Sequence, residues 1–224
     1  MNSPMVTRLI LKDWSFHRWT ILIYLLGGAF SLVLLSSGNQ LTFSAGGILL
    51  ITLLISLGIH LVMATVIQER SEHTLTFVMG LPISSREYSV AKILANLLIF
   101  LVPFLTLLLG TLAAIASRPE LPDGLVPFAV VILLELFVNY CLLLTVALTT
   151  ESQNWTIVTI VVGNLAFQAF LYLVANRSSM AGTLSGSEII WDQTALTLLG
   201  TELLLAAGLM VLTLIIQNRK KDFI

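Results

Sequence analysis

The run WTILIYLLGGAFSLVLLSSGNQLTFSAGGILLITLLISLGIHLVMATVIQ, from Trp19 to Gln68, contains no charged side chain. A bilayer-crossing helix needs about 20 consecutive apolar residues, so this run has room for two spans and a turn. Ser36-Ser37-Gly38-Asn39-Gln40 carries the chemistry of a turn and divides it. The reading is a helical hairpin, with one span over 19–37 and a second over 45–67.

Working outward, the same pattern repeats. Apolar runs over 93–116, 125–149, 155–174 and 194–216 are each long enough to cross a membrane. They are separated by Ser117–Gly124, which is dense in helix breakers, by Thr150–Asn154, and by the Ser- and Gly-rich stretch Asn176–Gln193. Pro103 lies inside the third span and predicts a kink, because its ring removes a backbone hydrogen bond. Trp155 suits a membrane interface. The predicted fold is therefore an all-α integral membrane protein with six transmembrane helices over 19–216.

Composition agrees. The 224 residues are 57% hydrophobic and only 10% charged, too little charge to coat a soluble domain. No basic face interleaved with aromatics marks a nucleic-acid partner. The single cysteine, Cys141, sits in an apolar run and excludes an intrachain disulfide. The first apolar run exceeds the h-region of a cleaved signal peptide, about 7–15 residues, and is read as a retained span.

Residues 1–18 precede the first span. On a helical wheel Met5, Val6, Leu9, Ile10, Trp14 and Phe16 share one half and Arg8, Lys12 and Ser15 the other, with Asp13 out of place. This predicts an amphipathic helix lying along the membrane surface; the alternative is an ordinary juxtamembrane tail. Residues 217–224 form a basic tail.

Positive charge orients the chain. With both termini cytoplasmic, the inner segments hold nine basic residues, Arg8, Lys12, Arg18, Arg70, Arg86, Lys92, Arg219, Lys220 and Lys221, and the outer loops hold two, Arg118 and Arg177. The expected location is the cell membrane, and the polar stretch ERSEHTLTFVMGLPISSREYSVAK, Glu69 to Lys92, then lies in the cytoplasm. Gly80-Leu81-Pro82 stops a helix, and Ser84 with Glu87 has capping-box spacing for the start of the next. The prediction is a helix–turn–helix elbow whose apolar residues, Leu75, Val78, Met79, Leu81 and Ile83, either dock a partner or tuck against the bundle.

The order Glu69-Arg70, Thr74, Gly80-Leu81-Pro82-Ile83-Ser84, Glu87, Ala91-Lys92 resembles the signature of ABC-2 type transporter permeases. Leu11-Lys12-Asp13-Trp14 is similar to that family's membrane-surface helix, and the layout matches along the whole chain. The resemblance implies that the elbow is a coupling helix. Leu81, Pro82 and their neighbours would contact a separate P-loop ATP-binding subunit, while Glu69, Arg70 and Glu87 set its geometry. It also implies a second permease protomer, identical or not, and export rather than import of a peptide, drug or lipid-like amphiphile. No lysine here is preceded by glycine, so no Walker A loop is present. ATP and Mg would be bound by the partner, with no cofactor in this chain and no enzymatic activity of its own. The alternative is a non-transporting scaffold or sensor that grips a cytosolic partner through the same elbow.

Two acidic residues interrupt the later spans, Glu135 in the fourth and Glu202 in the sixth. At 1.5 Å per residue both lie roughly 12–15 Å below the outer ends. Asn139 is one turn from Glu135, and Gln168 is a candidate addition to the same polar patch. Charge at this depth is costly and marks either a substrate pathway or a structural contact. His60, in the second span, reads as an interhelical contact or a ligand. His17, His60 and His73 are on separate segments and form no spaced metal cluster. Asn154-Trp155-Thr156 and Asn176-Arg177-Ser178 match the glycosylation sequon, the first on the cytoplasmic side in this topology. No HExxH, GxSxG or CxxC motif occurs.

Overall fold

A computed structural model describes residues 3–37, 39–69, 85–118, 121–177, 180, 182, 186 and 188–219. Six long helices account for nearly all of them: α1 Ser3–Leu35, α2 Gln40–Val62, α3 Ser85–Ser117, α4 Leu125–Thr150, α5 Gln153–Ala175 and α6 Gln193–Arg219. Each is long and apolar enough to cross a membrane. In hydrocarbon every backbone N–H and C=O must be satisfied within the segment, which a helix does and an open strand cannot.

Among the described residues, the breaks after α1, α3, α4 and α5 fall where the sequence placed them, whereas the expected stop at Gly80-Leu81-Pro82 lies outside the described residues. Asn39 caps α2, its Oδ1 accepting from the Leu41 N–H at 3.1 Å. α4 ends on Glu151, whose left-handed φ of 56° turns the chain directly into α5. α3 continues through Pro103, so the proline does not end the helix.

The N-terminal segment differs from expectation. A separate surface-lying helix over 1–18 is not confirmed: α1 runs from Ser3 to Leu35 as one helix. Within it Val6 and Asp13 are buried, whereas Trp14 and Phe16 are exposed. The inward stripe therefore passes through Asp13, the residue that spoiled the amphipathic wheel. A second difference lies in α2, which continues past Val62 as a π-helical turn over Met63–Gln68.

α1 packs along α2 and α3, α4 packs along α6 and α5, and α2 and α3 join the two groups by resting on α4. Small residues set the closest approaches. A Cβ at Gly46 of α2 would stand 2.7 Å from the Leu35 backbone nitrogen and 2.8 Å from the Ser31 carbonyl oxygen of α1. The core gathers Leu54, Leu57, Leu61, Ile99, Phe100, Leu144 and Phe167. Leucines exposed on α6, such as Leu203, Leu204 and Leu205, face away from the other helices, as lipid-facing residues do.

Candidate functional site

Four described charged side chains, Lys12, Asp13, Glu69 and Lys92, converge at one end of the bundle. Lys92, in the second turn of α3, is only 5% exposed, as is Asp13 of α1. The Lys92 Nζ lies 2.8 Å from Asp13 Oδ2 and 2.7 Å from Glu69 Oε2. Lys12 approaches the same carboxylates from the surface, at 3.6 Å from Asp13 and 3.5 Å from Glu69. Two cations and two anions thus neutralise one another across three helical elements. Tyr88 adds a long hydrogen bond from its hydroxyl to Glu69 Oε2, at 3.4 Å.

The cluster continues into the bundle. The Asn96 amide donates to the Lys92 carbonyl at 3.0 Å. The Asn96 Oδ1 lies 2.7 Å from the Thr65 hydroxyl in the π-helical turn. The Tyr140 hydroxyl of α4 donates to the Asn96 carbonyl at 2.8 Å, and its ring stacks on Phe100 with centroids 3.9 Å apart. On the other side, Ser89 donates to Gln217 of α6 at 3.3 Å, and Gln217 donates to the Leu148 carbonyl of α4. Polar contacts around Lys92 therefore tie α1, α2, α3 and α4 together, and Gln217 separately ties α6 to α3 and α4.

Of the residues assigned to the elbow, Glu69 and Lys92 are brought into direct contact, and Glu87 lies in the first turn of α3. Arg70, Thr74, Leu81, Pro82, Ile83 and Ser84 fall outside the described residues. Asp13 and Lys12 were not among the expected site residues. The sequence signals for Asp13 were its misplacement on the wheel, an acid on an otherwise apolar face, and its place in Leu11-Lys12-Asp13-Trp14.

The second candidate patch forms only in part. Asn139 donates to Glu135 Oε1 at 3.2 Å. Glu202 of α6 is 2% exposed, and neither of its carboxyl oxygens has a hydrogen-bond partner among the described residues. It lies within electrostatic reach of Glu135. Gln168 is exposed on α5 while its neighbour Phe167 is buried, so it does not join them. A cavity of about 40 Å³ beside Asn139, Tyr140, Gly163 and Asn164 has room for a water or two but not for an amphiphile. His60 packs its ring near Tyr24 of α1, with centroids 6.4 Å apart. No group of three or more metal-ligating side chains occurs among the described residues.

The fold and its buried charges define a multi-pass α-helical membrane protein. Neither a protein-family model, nor a curated protein, nor a solved structure matches the chain.

Proposed function

We propose that this chain is the membrane subunit of an ATP-driven exporter of the ABC-2 type. In this reading both termini and the 69–92 elbow face the cytoplasm of a cell membrane. The elbow docks a separate P-loop subunit that binds ATP and Mg, through Arg70, Thr74, Leu81, Pro82, Ile83, Ser84 and Glu87. Two permease chains then line the path of a peptide, drug or lipid-like amphiphile, with Glu135, Asn139 and Glu202 as candidate contacts.

The observation that carries this reading is the 2.7 Å pair between Glu69 and Lys92. A force applied to a loop moves a bundle only if both ends of that loop are fixed to helices. Here the two ends are pinned to each other. Nucleotide drives such a change through differential affinity for the two arrangements of the ATPase pair. The sequence order at the elbow supplies the partner's class.

The test is purification of the tagged chain from its native membrane. A P-loop ATPase should co-purify, and Leu81→Asp with Pro82→Asp should release it while the six-helix subunit still folds. A different cytosolic protein retained through the same two residues would establish the scaffold reading instead.

A further inference from the structure

The ion cluster contains a residue that the coupling reading does not use. Asp13 belongs to the first half of α1, ahead of the charge-free run that begins at Trp19. Lys92 and Glu69 bound the elbow. Asp13 is 5% exposed, and its Oδ2 sits 2.8 Å from Lys92 Nζ, shorter than the 3.6 Å from Lys12 to its Oδ1. Its service is thus to Lys92, 79 residues away in the chain.

We infer that Asp13 is a positioning residue that makes the first turns of α1 the third leg of the elbow's anchor. The charge count supports this. Lys92 faces two carboxylates, and each of those carboxylates also faces Lys12. Without Asp13, Lys92 keeps only Glu69 and α1 loses its buried ionic tie to the other helices. The backbone of α2 is arranged for the same contact. The π-helical turn Met63–Gln68 ends immediately before Glu69. Widening the winding there rotates the next residues about the helix axis, and it is in this phase that Glu69 meets Lys92. Thr65, inside that turn and 2% exposed, is held by Asn96, which also bonds the Lys92 carbonyl. Asp13, Glu69 and Lys92 therefore form one unit: α1 follows the elbow because its only described buried carboxylate is bonded to the elbow's far end.

The inference builds on the proposed coupling function, and its test separates the two. The full chain, with whatever ATPase co-purifies, is placed in lipid nanodiscs as wild type, Asp13→Asn and Asp13→Glu. Two quantities are read: amide hydrogen exchange over residues 5–18, and ATP turnover per bound ATPase. Asp13→Asn should raise exchange over 5–18 at least about tenfold relative to 19–35 and change turnover at least threefold with the ATPase still bound. Asp13→Glu, which keeps the charge, should restore most of both. Unchanged exchange and turnover in Asp13→Asn would overturn the positioning role. Raised exchange with unchanged turnover would overturn the coupling part and leave a purely structural tie. If no ATPase accompanies the wild type, the proposed function fails, and the exchange measurement alone still decides whether Asp13 anchors α1.

Discussion

Lys92 and Glu202 are both ionisable, both nearly inaccessible, and opposite in circumstance. Lys92 has two carboxylates within 2.8 Å, whereas Glu202 has no hydrogen-bond partner among the described residues. Removing one member of a buried ion pair strands the others and costs about 3–5 kcal/mol. Lys92→Met, which leaves Asp13 and Glu69 facing each other, should lower stability by that amount, read by thermal unfolding in a fixed detergent. Lys12 is 45% exposed at its side chain, and Lys12→Ala should cost no more than about 1 kcal/mol. Glu202 predicts the reverse sign. A buried polar group without partners costs about 1–3 kcal/mol, so Glu202→Met should raise stability by a comparable amount. A Glu202→Met protein that is more stable yet inactive in export would mark the carboxyl as kept for function; one that is more stable and fully active would remove it from the substrate pathway. Neither circumstance is written in the local sequence. The partner of Asp13 is 79 positions away, and only the packing of α1 on α3 brings the two together.

At the scale of the helices, the sequence was legible wherever the bilayer itself imposes the rule. The number of spans followed from long apolar runs and the breaks from Ser, Gly, Asn and Pro at the turns, although α1 and α3 begin well before their apolar runs. The packed faces were not legible, because apolar periodicity marks a buried stripe only when water covers the other side. In α6 the buried residues are Ala195, Glu202, Ala206, Thr213 and Gln217, spaced by seven, four, seven and four, while Leu196, Leu203, Leu204, Leu205 and Leu212 are exposed. That is a seam of small and polar residues, hidden because every neighbour is equally apolar. Thr213 donates across it to Thr145 of α4 at 2.9 Å. Interhelical bonds of this kind average about 0.6 kcal/mol and reach about 1.7, so Thr213→Val should cost about that much. Gly46 carries a heavier constraint, because backbone atoms of α1 stand where a Cβ would go. Gly46→Val should cost about 1–3 kcal/mol by overpacking, and the same unfolding assay should rank it below Thr213→Val in stability.

For the whole molecule, the bundle fixes which segments share an end and the charge distribution supplies a direction. α1 begins, α2 ends, α3 begins, α4 ends, α5 begins and α6 ends on the side of Lys92, the side that holds nine of the eleven basic residues in the six-span reading. The proposed orientation, drawn from the positive-inside rule, puts that side in the cytoplasm, where the proposed ATPase would have to bind. The test leaves all eleven basic residues in place. Ser117, Asn154 and Asn176 are exposed uncharged positions, and each takes a single cysteine on a Cys141→Ala background. Cys141 is fully buried between α4 and α6, so its removal trims a small core contact and no charge. A membrane-impermeant maleimide should label Ser117→Cys and Asn176→Cys in intact cells and Asn154→Cys only after permeabilisation. Labelling of Asn154→Cys alone in intact cells would invert the chain, put the Lys92 cluster outside, and make an ATP-driven partner at the 69–92 elbow physically inaccessible. The orientation therefore stands before the ATPase question in logic, because a coupling elbow on the wrong side of the membrane has nothing to couple to.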